Sequence, residues 1–497
     1  MDPVTLQVMV GALRAACDEM GVVLVRSAHS ANVKERRDAS TGLFDRDGQM
    51  VMQAEHIPVH LGAMPAALAA VLDEDHEPGD AWILNDPYRG GTHLPDITVI
   101  SPVFVGRELA GFSASRAHHA DVGGRVPGSM PADSTTLEEE GVVIPPTRLA
   151  RGGELDRDLL RELTERMRGP RQREADLRAQ LAANRAGAAR VVELAERHGL
   201  EMVREAMKET LDYAERRTRA AIERLEDGER EATDVLEAAS GDLELRLTAT
   251  VDRDELTLDF DGSAEQYDGN LNCPLAVTMS ACYFAVRVLA DPDVPPCAGA
   301  YRPVTVKAPE GSILNARPPG AVAGGNVETS SRVADLVLQA FGRALGQGTM
   351  NNLTLGNDDF TYYETLGGGQ GACDDADGPS AVHVAMSNTL NTPVEALELE
   401  FPLRAVEYAV RRGSGGAGAH RGGDGVVREI EALDEMTYSL ITERRRHRPK
   451  GAAGGEPGAA GVNLVNGEEV GAKAAGTLRR GDRLRIETPG GGGYGEA

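Results

Sequence analysis

Two short histidine–aspartate clusters, His93 with Asp96 and His118-His119 with Asp121, are the residues of this 497-residue chain best suited to chemistry. Neutral imidazole combined with carboxylate is a donor set for Zn, Mn or Fe. The segment between the clusters reads as a β-hairpin: 97–105 alternates as a strand, Gly106-Arg107 suits a two-residue turn, and 109–115 returns. With Val105 opposite Glu108, the register sets Asp96 opposite Ala117 and Pro95 opposite His118. Directly paired residues stand roughly 4.5–5.5 Å apart at Cβ, so His93, Asp96 and His118 converge at the open end. Pro102 inside the first strand calls for an edge position or a bulge, and a bulge slips that register by one. The other reading is polar loop chemistry, with Thr92-His93 and Asp96 satisfying backbone groups. Histidine distribution weighs toward a metal: His29, His56, His60, His76, His93, His118 and His119 are seven of the eleven, all in the first quarter of the chain.

The elements that must position these residues follow from periodicity. Asp2 caps a helix with Pro3 in its first turn, and Leu6, Met9, Val10, Leu13, Cys17 and Met20 give it one apolar face. Asp47-Gly48 turns a hairpin between 42–44 and 49–52, with Asp38 just upstream; on residues alone Asp38 is a solvated partner for Arg36 or Arg37. A short helix is expected over 64–72 and a strand over 81–84, leading through the turn-rich 85–91 to His93. From about 155 to 225 the composition shifts to Arg, Glu, Ala and Leu, which predicts helices over 175–197 and 201–225. Strands over 243–251 and 255–260, a helix over 275–289, a strand over 304–306 and a helix over 333–345 come next. Ser330 or Ser331 is the expected cap of that last helix, whose N-terminus would be an anion site if it were open. Asn388, Asn391 and Glu395 either line a polar pocket or serve as turn and cap residues.

The pattern predicts a multi-domain α+β protein: a mixed α/β domain over 1–150 carrying the clusters, a helical segment over 151–230, an α+β domain with pocket-lining loops over 231–425, and a β-rich closing region over 426–497. LGGGQGA (366–372) leads into acidic CDDADGPS and not into a helix, so the dinucleotide fingerprint lacks its context, and no Gly-Lys dipeptide exists to build a P-loop. The terminal GGGGYG reads as a turn or a floppy tail.

The charge of −26, from 52 basic and 78 acidic residues, repels phosphate backbones and argues against nucleic-acid binding. No stretch approaches 18 uninterrupted apolar residues, which argues against a membrane span, and MDPVTLQVMV has neither a basic nor an apolar leader region, so cytoplasm is the expected location. Five scattered cysteines without a C-x-x-C pair read as reduced thiols, with Cys282 in a helix core.

The ordered set KERRDAS, NDPYRGGTHLPDI, RAHHADVGGRVPGSM, GGNVETSSR, SNTLNTPVEALELEFPLR, GSGGAGAHRGG and ETPGGGGYG, running from Asp2 to about Tyr494, resembles the hydantoinase B/oxoprolinase family. The resemblance is to the B subunit of ATP-dependent hydantoinases, the C-terminal half of 5-oxoprolinases, and the matching subunits of lactamases and acetone or acetophenone carboxylases. It implies a division of labour in which an A-type partner subunit binds ATP and phosphorylates the substrate, and the B-type chain holds a divalent metal (Zn or Mn, with Fe a further candidate). The implied ligands are His93, Asp96 and His118, with Asp38 as a fourth; His119 and Asp121 are implied as supporting residues, one orienting a ligand and the other bonded to it. The expected activity is hydrolysis of a cyclic amide. A ketone carboxylase subunit and a non-catalytic scaffold for the A subunit are the alternatives.

Overall fold

A computed structural model describes residues 1–55, 57–291 and 293–496; His56 lies outside the described residues. The fold is mixed α/β, with the His/Asp clusters in the N-terminal region, a helical middle and a sheet-rich C-terminal part. Helix α1 (Pro3–Ser27) starts at Asp2, whose carboxylate accepts from Val4 N and Thr5 N, and it buries the predicted face. It packs with β1 (Ala39–Asp45), β2 (Met50–Glu55) and the helices Pro170–His198 and Leu200–Ile222 around one core. The helical middle therefore shares a core with the N-terminal sheet.

That sheet has seven antiparallel strands in the order β2-β1-β5-β4-β3-β6-β7, with β3 Ala81–Leu84, β4 Asp96–Val105, β5 Glu108–His118, β6 Thr147–Arg151 and β7 Glu154–Leu155. The hairpin β4–β5 corrects the expected register. Val105 pairs with Glu108 as predicted, but the ladder skips Ala110, so Val103 meets Gly111 and Asp96 meets His118, not Ala117. The extra residue falls near Pro102, which cannot donate to the ladder, and a bulge there accommodates it. On the other side β1 pairs with β5, Ala39 opposite Ala117, and His118 N donates to Asp38 O at 3.0 Å. Helix Pro170–His198 is fastened across the opposite face by buried amides: Gln180 Nε2 donates to Ile97 O and Ser115 O, and Asn184 Nδ2 to Val99 O.

A second sheet contains Gly228–Ala238, Gly241–Asp252 and Glu255–Asp259, with Val304–Lys307 added in parallel, and shares its core with the helices Leu275–Leu289 and Ser330–Ala340. The first of these strands was not expected, because one of its inward residues is Asp234. That carboxylate is buried in a charge network with Arg332 (3.4 Å) and Arg444 (2.9 Å), which in turn reach Glu443 and Asp335. The expected serine cap is also corrected. A π-helical turn, Gly325–Thr329, runs directly into Ser330–Ala340, so Ser330 and Ser331 lie inside the helical run and bond to Asn326 O and Val327 O. No open N-terminus for an anion exists there.

Two further sheets close the C-terminal part, and the pair Leu403–Arg411 with Gly425–Ala432 crosses the boundary expected at 425. The glycine-rich stretches between them form no strands. They lie side by side, exchanging backbone hydrogen bonds: Gly416 N to Gly491 O, Gly491 N to Gly423 O, Gly423 N to Gln370 O and Gly493 N to Glu456 O, all at 2.8–2.9 Å. A Cβ on Gly491 would stand 2.0 Å from Gln370 O. The terminal GGGGYG is therefore a buried structural strip and not a floppy tail, and LGGGQGA is packed against it. Among the described residues no helix is long and apolar enough to cross a membrane.

Candidate metal centre

Three strands and one turn build the site. Asp38 N-terminal to β1, His118 at the end of β5 and Asp96 at the start of β4 form one row across adjacent strands, because His118 is hydrogen-bonded to Asp38 on one side and paired with Asp96 on the other. His93 enters from the turn before β4, where Asp96 N donates to His93 O at 3.0 Å. That turn is anchored by Asn85, whose carboxamide donates to Leu94 O and Val142 O and accepts from Ile144 N. Gly91 allows this close approach: a Cβ there would stand 2.2 Å from Asn85 O.

The ligand atoms of His93, Asp96 and His118 all lie within 4.8 Å of one another, and all three side chains are buried. His93 Nδ1 is 3.0 Å from Asp96 Oδ2 and His118 Nδ1 is 3.5 Å from Asp96 Oδ1, while Asp38 Oδ2 stands 4.0 Å from His118 Nδ1. Nε2 of His93 and Nε2 of His118 are buried without a hydrogen-bond partner, and the 3.0 Å contact of His93 Nδ1 with Asp96 lacks hydrogen-bond geometry. Orphaned buried polar atoms of this kind cost on the order of 1–3 kcal/mol each, and a cation shared by the three side chains would remove that cost. The residues present thus fit a divalent metal.

The electrostatics agree with that donor set. Burial pushes His118 down to about 3, keeping its imidazole neutral, the form that ligates. Burial alone would raise the Asp96 carboxyl, but the surrounding imidazoles, His93 first, hold it well below the usual carboxylate range. Burial raises Asp38 to about 7 against the opposing pull of Arg36, 3.9 Å away. Asp38 is thus buried at the row's edge, not the solvated residue its local sequence implied.

His119 and Asp121 are placed differently from the ligands. Adjacent residues on a strand point to opposite faces, so His119 turns to the helix face, where Nε2 meets Gln180 Oε1 at 3.0 Å. Asp121 accepts from Gly123 N and Gly128 N, each at 2.7 Å, and pairs with Arg168 at 3.2 Å. Asp121 organises the 121–129 loop, and neither residue is bonded to the other.

The supporting residues are ones that local sequence did not single out. His60 Nε2 is 3.4 Å from Asp96 Oδ2, with Nδ1 held by Ser40 Oγ at 2.8 Å, and Thr92 Oγ1 donates to Asp96 Oδ2 at 2.7 Å. The Tyr363 ring stacks on His118 with centroids 4.5 Å apart, and the Arg36 guanidinium lies 4.7 Å from the same ring. His60 carried a faint signal, being one of the clustered histidines; Tyr363 carried none, since it arrives from a sheet more than two hundred residues away.

A buried two-histidine, carboxylate cluster on the N-terminal sheet of a mixed α/β frame is a donor set that could hold a metal ion, and similarity to known proteins identifies the family. The chain belongs to the hydantoinase B/oxoprolinase family, whose sequence model matches residues 2–497. A 5-oxoprolinase of Dictyostelium discoideum is 38% identical over 512 residues, taking in 100% of this chain and 40% of that protein. The chain thus spans less than half of that relative's length. An uncharacterized protein of Methanocaldococcus jannaschii is 38% identical over 512 residues, covering 100% of this chain and 91% of its own. Among solved structures, the ATP-dependent caprolactamase from Pseudomonas jessenii superposes with a TM-score of 0.93 at 28% identity over 100% of this chain and 91% of that one. An acetone carboxylase shares the fold, with a TM-score of 0.87 at 20% identity over 99% and 76% of the two chains.

Proposed function

We propose that this chain is the metal-holding subunit of an ATP-dependent cyclic-amide hydrolase, opening a ring activated by an A-type ATP-binding partner. The observation that carries the reading is the row Asp38–His118–Asp96 with His93 beside it, in which the Nε2 atoms of His93 and His118 are buried with no hydrogen-bond partner. His93, Asp96, His118 and Asp38 would hold Zn, Mn or Fe, which when bound polarises a carbonyl oxygen and lowers the pKa of water. The chain's own contribution is to fix the donors before substrate arrives. Ser40 sets the His60 ring, His60 and Thr92 set the Asp96 carboxylate, and the Tyr363 face sets the His118 ring. Because each donor is buried, bulk water is kept from the cluster and the local field is strong.

Membership of the family and the names of the oxoprolinase and caprolactamase relatives support a cyclic amide as substrate. The carboxylase alternative rests on a shared fold and differs in requiring bicarbonate in place of water; the scaffold alternative requires a chain that binds no metal. The absence of a P-loop supports a separate ATP-binding partner, and a cytoplasmic location belongs to the same proposal. Co-expression with an A-type partner, followed by metal analysis and ATP turnover with hydantoin, 5-oxoproline, and acetone plus bicarbonate, tests all three. Metal-dependent, bicarbonate-independent ring opening is the expected result; bicarbonate-dependent turnover of acetone, or a metal-free chain that still supports turnover, would overturn it.

A further inference from the structure

Glu328 is a fully buried carboxylate two side chains removed from His118. It sits in the π-helical turn Gly325–Thr329, a backbone form that is rare and often found at functional positions. Burial, reinforced by Glu443 and opposed by Lys473, pushes its carboxyl up to about 7. An apolar residue of similar size would fill the same space without that desolvation cost.

Its bonds show where the carboxylate acts. Oε1 accepts from Met350 N at 3.1 Å and from Asn352 Nδ2 at 3.0 Å. Oε2 makes no hydrogen bond of proper geometry, with the Thr349 hydroxyl the polar group near it. A proton, when present, therefore sits on Oε2, and Oε1 is an acceptor in both charge states. Asn352 Nδ2 has a second acceptor in Ile441 O at 3.1 Å, so both of its hydrogens are committed. The amide oxygen must then face the other way, where it accepts from the Tyr363 hydroxyl at 2.7 Å. A flipped amide would set its oxygen against two acceptors. Tyr363, tethered at its hydroxyl, lies within 9° of parallel to the His118 ring with centroids 4.5 Å apart. Arg36 holds the other end of the residue, donating to Tyr363 O at 3.1 Å.

We propose that Glu328 is a positioning residue for His118: it orients the Asn352 amide, the amide holds the Tyr363 hydroxyl, and the ring face fixes the angle of the imidazole. Its consequence, a donor set at one angle before a cation arrives, rests on the metal reading of the row. Each link crosses a boundary of the fold, since Glu328 lies in a helical run, Asn352 and Tyr363 on paired strands of one sheet and His118 on another.

The test uses the full chain in two states. The metal-free chain, with nitrogen-15 in its histidines, is read by NMR, and His118→Ala assigns the His118 ring resonances by their loss. Cobalt(II) is then added as the probe and read by its visible absorption. Glu328→Met and Tyr363→Phe should each shift the His118 resonances, alter the cobalt spectrum and weaken cobalt binding about ten-fold, as loss of a group that orients a ligand does. Combining them should cost no more than the stronger single change, because both break one chain. Glu328→Gln keeps an acceptor at Oε1 and should restore all three readouts. Asn352→Ser breaks the chain at its middle link and should match Glu328→Met, whether or not the latter folds.

Resonances and affinity unmoved by Tyr363→Phe and Asn352→Ser, losses that add in the combined variant, or a Glu328→Gln protein as defective as Glu328→Met would overturn the proposal. If the parent chain binds no cobalt but its His118 resonances respond as described, the positioning stands and the metal reading fails. If cobalt binds through His118 and neither resonances nor affinity respond, the reverse holds.

Discussion

Asp96 and His118 are direct cross-strand partners because Ala110, at the far end of the same hairpin, has none. One unpaired residue near the turn decides which side chains meet at the open end, since a one-residue slip sends every side chain of a strand to the other face. Deleting Ala110 should remove the bulge yet leave Val103 opposite Gly111 and Asp96 opposite His118. The expected outcome is a chain that keeps both its far-UV circular dichroism and its capacity to bind a metal; loss of metal binding with the fold intact would show that the site needs the bulge itself and not only the pairing.

On the proposed function, metal removal should lower stability as well as activity, because a bound cation would satisfy the buried Nε2 atoms of His93 and His118. A ligand present at one hundred times its dissociation constant stabilises by about 2.7 kcal/mol, so a chelator should lower the melting temperature visibly. His93→Ala and His118→Ala should melt at one temperature with or without chelator and carry little metal by elemental analysis. Melting of both variants that stays chelator-sensitive would place the metal elsewhere.

Glu140 predicts a pH dependence remote from the metal. Its buried carboxylate accepts from Val322 N, Ala323 N and Ser134 Oγ, yet burial raises it to about 7 from 4.5. Between those values the folded chain keeps a proton that the unfolded chain has released. Stability from this group is therefore full below about 4.5 and is lost as pH rises through about 7. Glu140→Gln, which cannot ionise, should flatten that part of the stability–pH curve, by on the order of a few kcal/mol at most. Urea denaturation of both proteins at pH 5 and pH 8 measures the difference.

Gly491→Ala should be among the most damaging single substitutions in the C-terminal part. The added carbon would meet Gln370 O at 2.0 Å, backbone against backbone, where no rotamer can relieve it. Gly467, with φ +83° and nothing within 4 Å of a Cβ, is the control: alanine there should cost only about 1 kcal/mol. Equal urea midpoints for the two variants would show that the glycine strips are not tightly packed.

What was legible in the sequence follows from how far apart the partners lie. The helix Leu275–Leu289 appears with its expected bounds because Pro274 and an unbroken apolar face mark it locally. His93, Asp96 and His118 were legible because one hairpin brings them together. Asp38 was placed by resemblance alone, because its row is set by β1 pairing with β5 some eighty residues later. The strand Gly228–Ala238 was missed because its buried Asp234 reads as a surface residue until Arg332 and Arg444 are brought against it. The serine cap failed for a related reason: a π-helical turn has no periodic signature, so the helix was started too late.

The glycine strips and the 383–388 loop meet at Gln370, which lines a cavity of about 470 Å³ and accepts Gly423 N with its carbonyl. These two neighbours are under different steric constraints. Any change in the first two bases of a glycine codon adds side-chain atoms, so the strips can hardly drift at all. The 383–388 loop carries no such steric prohibition at its exposed Asn388. The rim of that cavity can therefore change one residue at a time, while the wall behind it stays fixed.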